Sequence, residues 1–81
     1  PSRVVLKMTV LAKTLLVEEF PLAEKDITRS GDEWILDTMV HGYEGIGRFY
    51  LGLSSDIKIV DSPEFVEYVK DFIRKNLSEY V

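Results

Sequence analysis

The hydrophobic patterning of this chain predicts an α+β two-layer sandwich, and three observations carry the prediction. Four short β-like runs are interleaved with two helical runs in the order β-α-β-β-α-β. A capped amphipathic helix follows the last strand. At 81 residues, with 46% hydrophobic and 30% charged residues, the composition is that of one soluble globular domain. A domain of this size buries only about 60–65% of the surface its unfolded chain exposes, so the stability margin is expected to be modest.

Val4 to Leu11 reads as the first strand: Val4, Leu6, Met8 and Val10 form an apolar face, and Val5, Lys7, Thr9 and Leu11 a mixed one. Ala12 to Phe20 switches to helix formers, with Leu15, Leu16 and Glu18-Glu19 before Pro21 stops the helix. Asp26 to Ser30 and Glu33 to Val40 are β-like runs separated by Gly31-Asp32, which reads as a hairpin. Trp34, Leu36, Thr38 and Val40 share one face of the second run, opposite Ile35, Asp37 and Met39. Glu44 to Leu53 places Ile46, Phe49, Tyr50 and Leu53 at helical spacing. Glycines at 45, 47 and 52 each cost roughly 1 kcal/mol relative to Ala in a helix interior, which implies that they permit a close approach. Ile57 to Val60 is the fourth strand. Asp61-Ser62-Pro63-Glu64 then starts a helix, with a cap-competent side chain, Pro in the first turn and an acid near the positive end. Phe65, Tyr68, Val69, Phe72, Ile73, Asn76 and Leu77 continue it at 3-4-3-4 spacing.

This order is the split βαβ, ferredoxin-like plan with an additional C-terminal helix. Both crossover helices cover one side of the sheet in that plan. The other side, lined by Val5, Lys7, Thr9, Ile35, Asp37 and Met39, is amphiphilic and suits docking. Val5, Lys7, Thr9, Ile35 and Met39 are therefore the expected interface residues.

No cysteine is present, so neither a disulfide nor a thiolate metal site can stabilise the chain, and the core falls to nine aromatics and the aliphatics. No apolar run approaches the roughly 18–20 residues that span a bilayer, and no membrane role is expected; a cytoplasmic setting follows by default. The chain opens on Pro1-Ser2 without an initiator Met, as expected of a piece of a longer protein. A net charge of -4 disfavours phosphate-backbone binding. Lys70, Arg74 and Lys75, late in the final helix, suit its dipole.

Gly42-Tyr43-Glu44-Gly45-Ile46-Gly47 lies between strand and helix, where backbone N–H groups can cradle an anion. The glycine order matches neither a dinucleotide fingerprint nor a P-loop, and a tight turn with close packing explains it better. Arg48 can hold a carboxylate or phosphate bidentately, or pair with Glu44 one turn earlier. Tyr43, Gly45, Gly47 and Arg48 make up the expected ligand or partner site. His41 is the only histidine and has no second His or Cys to join it, so no metal is expected. Glu64, Glu67 and Asp71 read as a solvated helical face. Ser54, Ser55 and Ser62 have no partner base, and with no catalytic constellation the chain is expected to be neither an enzyme nor the holder of a cofactor. The aromatics Phe49, Tyr50, Phe65, Tyr68, Phe72 and Tyr80 stand at core spacing.

The run Gly45-Ile46-Gly47-Arg48-Phe49-Tyr50-Leu51-Gly52-Leu53, followed by Asp56-Ile57-Lys58-Ile59-Val60 and Ser62-Pro63-Glu64-Phe65, resembles the C-terminal end of bacterial WYL-domain transcriptional regulators. In that family a helix, a strand ending in a proline and a final helix close the chain after the WYL domain, and Tyr80 fits the pattern. The likeness covers the second half of the chain well and the first half by pattern; no Trp-Tyr-Leu motif occurs, and Trp34 is isolated. The resemblance implies a C-terminal regulatory and dimerisation domain that senses a small-molecule or nucleic-acid effector, in a homodimeric regulator. There, DNA is contacted only through a winged helix-turn-helix outside these residues. A second reading on the same β-α-β-β-α-β plan is an ACT-type small-molecule-binding domain, which senses amino acids near a glycine-bearing turn.

Overall fold

A computed structural model describes residues 1–76. The expected Leu77 of the last helix and Tyr80 lie outside them. The order is β1 (Ser2–Met8), α1 (Val10–Glu19), a 3₁₀ segment (Pro21–Asp26), β2 (Ile27–Ser30), β3 (Glu33–Val40), α2 (Glu44–Gly52), a 3₁₀ turn (Ser54–Asp56), β4 (Ile57–Val60) and α3 (Pro63–Asn76). The strands form one sheet in the order β2-β3-β1-β4 with every neighbouring pair antiparallel. The fold is α+β, with one antiparallel sheet carrying its helices on one face.

Register and alternation decide which face each side chain takes. Leu6 stands opposite Leu36 on β3 and Ile59 on β4, and Met8 opposite Trp34 and Ile57. Val4, Leu6, Met8, Leu36 and Ile57 join Ala12 and Leu16 of α1, Ile46 and Phe49 of α2, and Phe65 and Val69 of α3 in one buried cluster. All three helices therefore pack on one face. Arg3, Val5, Lys7, Ile35, Asp37 and Met39 belong to the opposite face by the same register, and among the described residues no helix covers it.

The first strand ends earlier than its pattern suggests. Thr9 is the N-cap of α1: its hydroxyl oxygen accepts from the Ala12 N–H at 3.3 Å and donates to Asp56 Oδ1 at 3.1 Å, while its N–H donates to the Asp56 carbonyl. Capping turns the chain at Thr9, so Val10 and Leu11 enter the first helical turn instead of continuing the strand. Thr9 is thus corrected from a sheet-face residue to a helix cap. Val10, expected on the apolar face of the first strand, is 60% exposed. The helix ends at Glu19, where Pro21, lacking an N–H, diverts the chain into the 3₁₀ segment; Asp26 closes that segment instead of opening β2.

Gly31, at φ +63°, adopts the left-handed backbone that a two-residue hairpin turn with glycine first demands. At the other sharp turn Asp61 takes φ +46°, a conformation uncommon outside glycine. That turn drops Ser62 under the sheet edge, 5% exposed, where its hydroxyl donates to the Val60 carbonyl at 2.7 Å and accepts from the Val5 N–H at 3.3 Å. The hydroxyl expected to cap the helix is instead spent on the end of the β1–β4 ladder. The Ser62 carbonyl still accepts the first helical bond, from the Val66 N–H.

Candidate functional site

Two surfaces contain the residues singled out from the sequence, and the structure separates them. The first is the uncovered sheet face. Its column along β1 is Arg3, Val5 and Lys7, faced across β3 by Met39, Asp37 and Ile35 and across β4 by Val60 and Lys58. Arg3 holds Asp37 through two parallel bonds, Nε to Oδ1 at 3.0 Å and Nη2 to Oδ2 at 2.8 Å. Those bonds keep the Asp37 carboxyl below the usual aspartate range. Lys7 Nζ lies 3.7 Å from Glu33 Oε1. Most of the charge on this face is therefore already neutralised within the chain. Lys58, directly opposite Lys7, makes no ion pair among the described residues.

Apolar side chains lie between the charges. Val5 is 4% exposed, Ile35 and Val60 are half-buried, and Met39 is 57% exposed at the end of β3. Four of the five expected interface residues, Val5, Lys7, Ile35 and Met39, thus share one surface, and Thr9 is absent from it. Asp37 belongs to it too. Arg3, Lys58 and Val60 belong to it and were not singled out from the sequence; the alternation Ile57-Lys58-Ile59-Val60 held the signal for the last two once Val5 is placed opposite Val60.

The second surface surrounds α2. Tyr43, Gly45, Gly47 and Arg48 do not converge on one point. The Tyr43 ring lies 5.2 Å from Phe65 and 5.3 Å from Tyr68, centroid to centroid, and its hydroxyl is buried with no hydrogen-bond partner among the described residues. Gly47 is buried, and a Cβ there would stand 2.9 Å from Cε1 of Tyr68. The close approach that the glycines implied holds at Gly47, where its partner is α3, and not at Gly52, where an added Cβ would meet nothing within 4 Å. At Gly45 an added Cβ would meet the Phe20 ring at 3.6 Å. Phe20, Tyr43 and Tyr68 therefore crowd this turn, in keeping with close packing and not with an anion cradle.

Arg48 points elsewhere. It forms no ion pair with Glu44 among the described residues. It lines instead a cleft of about 550 Å³ between α1 and α2, with Leu15, Glu18, Glu19, Phe49, Gly52 and Leu53.

Several other polar groups are engaged within the fold. Asp26 Oδ2 accepts from the Thr38 hydroxyl at 2.7 Å and from Lys25 at 3.1 Å, and these bonds hold its carboxyl below the usual range. Glu67 pairs with Lys70, and Asp71 with Arg74 and Lys75, so two of the three carboxylates of α3 are matched by cations of the same helix. Lys13 Nζ sits 4.6 Å over the Trp34 ring and Arg29 Cζ 5.5 Å from it, which accounts for the isolated tryptophan as a cation–π platform at the end of the sheet. No cluster of His, Cys, Asp or Glu fit to hold a metal occurs among the described residues, and no helix there is long and apolar enough to cross a membrane. Comparison of the chain with protein-family models, curated proteins and solved structures finds no match.

Proposed function

We propose that the chain is a non-enzymatic regulatory and dimerisation domain, the C-terminal extension of a cytoplasmic bacterial regulator of the WYL type, and that its uncovered sheet face is where two copies meet. The observation that carries the reading is the state of that face. Two of its cations, Arg3 and Lys7, are paired within the chain with Asp37 and Glu33, Lys58 makes no ion pair among the described residues, and exposed Met39 with half-buried Ile35 and Val60 supplies apolar area beside already buried Val5. A surface whose charges are mostly paired costs less to desolvate than one of free charges, and apolar area removed from water contributes about 25 cal/mol per Å². The ferredoxin-like plan with an extra helix belongs to this proposal. It is supported by the strand order β2-β3-β1-β4, by α1 crossing from β1 to β2 and by α2 crossing from β3 to β4.

The regulator assignment rests on the sequence resemblance over Gly45–Phe65. In this reading DNA contact belongs to a helix-turn-helix outside these residues, which agrees with the net charge of -4. The ACT-type reading places its ligand at the start of the second helix. It has less support, because Phe20 and Tyr68 pack against Gly45 and Gly47 there. Light scattering across a concentration series tests the proposal: wild type is expected to associate to a dimer and Met39→Glu to remain a monomer that still folds. Wild type that stays monomeric throughout, or a Met39→Glu dimer, would overturn it.

A further inference from the structure

On the basis of the sheet-face dimer proposed above, we infer that the second copy sits about a two-fold axis running parallel to the strands, between β3 and β1, so that the carboxylates of one copy's β3 lie against the cations of the other's β1 and β4. The registers lay out the charge that selects this arrangement. On the strands of the open face both carboxylates, Glu33 and Asp37, stand on β3, and the cations Arg3, Lys7 and Lys58 stand on β1 and β4. The outer strand β2 adds hydroxyls, with Thr28 beside Ile35 and Ser30 beside Glu33. The order β2-β3-β1-β4 puts the midline of the sheet between β3 and β1. The face is therefore negative on one side of its midline and positive on the other. Asp61, beyond the end of β4, adds a negative charge near Arg3, and leaves Lys7 and Lys58 directly opposite each other further along the strands.

Sheets packed face to face keep their strands roughly aligned, and a closed pair of identical faces needs a two-fold axis. About an axis across the strands, each strand lies over its own copy, so carboxylates meet carboxylates and cations meet cations. About an axis along the strands at the midline, β3 lies over β1 and β2 over β4. Only the second arrangement brings opposite charges together, and like charges brought together across an interface are costly. It also gives Lys58 what its own chain withholds. Lys58 makes no ion pair among the described residues and faces a like charge, Lys7, across the β1–β4 ladder, which is destabilising in a sheet. With sheets about 10 Å apart and strands about 4.8 Å apart, Lys58 comes over Thr28 and Ser30 of the second copy, and Glu33 of that copy is one strand further in, within the combined reach of the two side chains. Glu33 is able to accept it: its contact with Lys7 is 3.7 Å, against 2.8 Å for Arg3 with Asp37, and half of its side chain is exposed. The two-fold axis makes this contact twice.

The experiment is self-association at low ionic strength, by light scattering across a concentration series, for wild type, Lys58→Glu, Glu33→Lys and an equimolar mixture of the two variants. Both positions are exposed, so both variants should keep the fold, which a thermal melt checks. Each variant places like charges in both symmetric contacts, and its dimer is expected to weaken roughly 5–30-fold. The mixture should recover an affinity near that of wild type, because the mixed dimer has opposite charges in both contacts and neither chain has been repaired within itself. Added salt should shrink these differences. An axis across the strands predicts instead that each variant associates as wild type does, since like charges meet before and after the change. A wild-type dimer with unchanged variants, or a mixture no tighter than the variants alone, overturns the inference and leaves the sheet-face dimer standing. Wild type that stays monomeric overturns both.

Discussion

The two faces of the sheet are built from the same strands and solve opposite problems. On β1, Val4, Leu6 and Met8 are at most 1% exposed beneath three helices, whereas on the opposite face, which no described helix covers, Arg3 and Lys7 stay accessible on either side of Val5, itself 4% exposed. The covered face is apolar at almost every position and is stabilised by area and packing. The open face mixes apolar and charged residues and settles most of the charges in pairs, with Lys58 outside them. The difference teaches that a strand with one strict apolar face and one mixed face marks a layer whose second side awaits a partner.

Truncation on the covered face should have the largest effect. Leu6 is 0% exposed at the centre of the cluster, and Leu6→Ala should cost about 2–5 kcal/mol in a denaturant melt. That is a large share of the roughly 5–15 kcal/mol that a small domain has.

Next is the contact between helices on the same side. Gly47→Ala should lower stability by about 1–2 kcal/mol despite the better helix propensity of Ala, because its Cβ meets the Tyr68 ring at 2.9 Å. Gly52→Ala, where nothing is met, should instead raise stability by up to about 1 kcal/mol. Equal effects at the two positions would show that propensity, and not the approach of α3, governs α2.

Acid titration should then separate the pairs. Asp37 on the open face and Asp26, bonded to Thr38, both have folded-state pKa values below their unfolded ones. Their contribution is therefore fully present above the unfolded aspartate value, about 3.9, and is lost as pH falls through the lower folded values. Asp37→Asn and Asp26→Asn should each flatten the pH dependence of stability in that window, and an unchanged slope in both would contradict the assignment. Met39→Glu should have the smallest effect on folding, within about 0.5 kcal/mol, since Met39 is 57% exposed, yet the largest on association.

The periodicity of the second half of the chain made its elements legible. Glu44–Gly52, Ile57–Val60 and the helix from Pro63 lie within a residue or so of their sequence reading, because Pro63 and Glu64 mark the start of one and the 3-4 spacing is unambiguous. The first half was harder. Val10 and Leu11 suit strand and helix alike, and only the hydroxyl of Thr9, committed to the Ala12 N–H, ends the strand before them. The glycines of α2 announced a close approach without naming Tyr68, since the identity of a partner across the fold is a tertiary fact. Arg48 was marked as a recognition residue, but its neighbours Glu18 and Glu19 lie 29 and 30 positions earlier and read only as polar residues closing a helix. Ser62 was legible as a helix start, whereas its bond to the Val5 N–H depends on the β1–β4 register.

The central claim is that the open sheet face is the association surface. It is tested most directly by amide spectra of the ¹⁵N-labelled domain recorded through a dilution series. The account predicts concentration-dependent shifts concentrated on Arg3, Val5, Lys7, Ile35, Asp37 and Met39, with α1 and α3 unmoved. Shifts confined to the helices, or spectra that do not change with concentration while the mass remains that of a monomer, would contradict it.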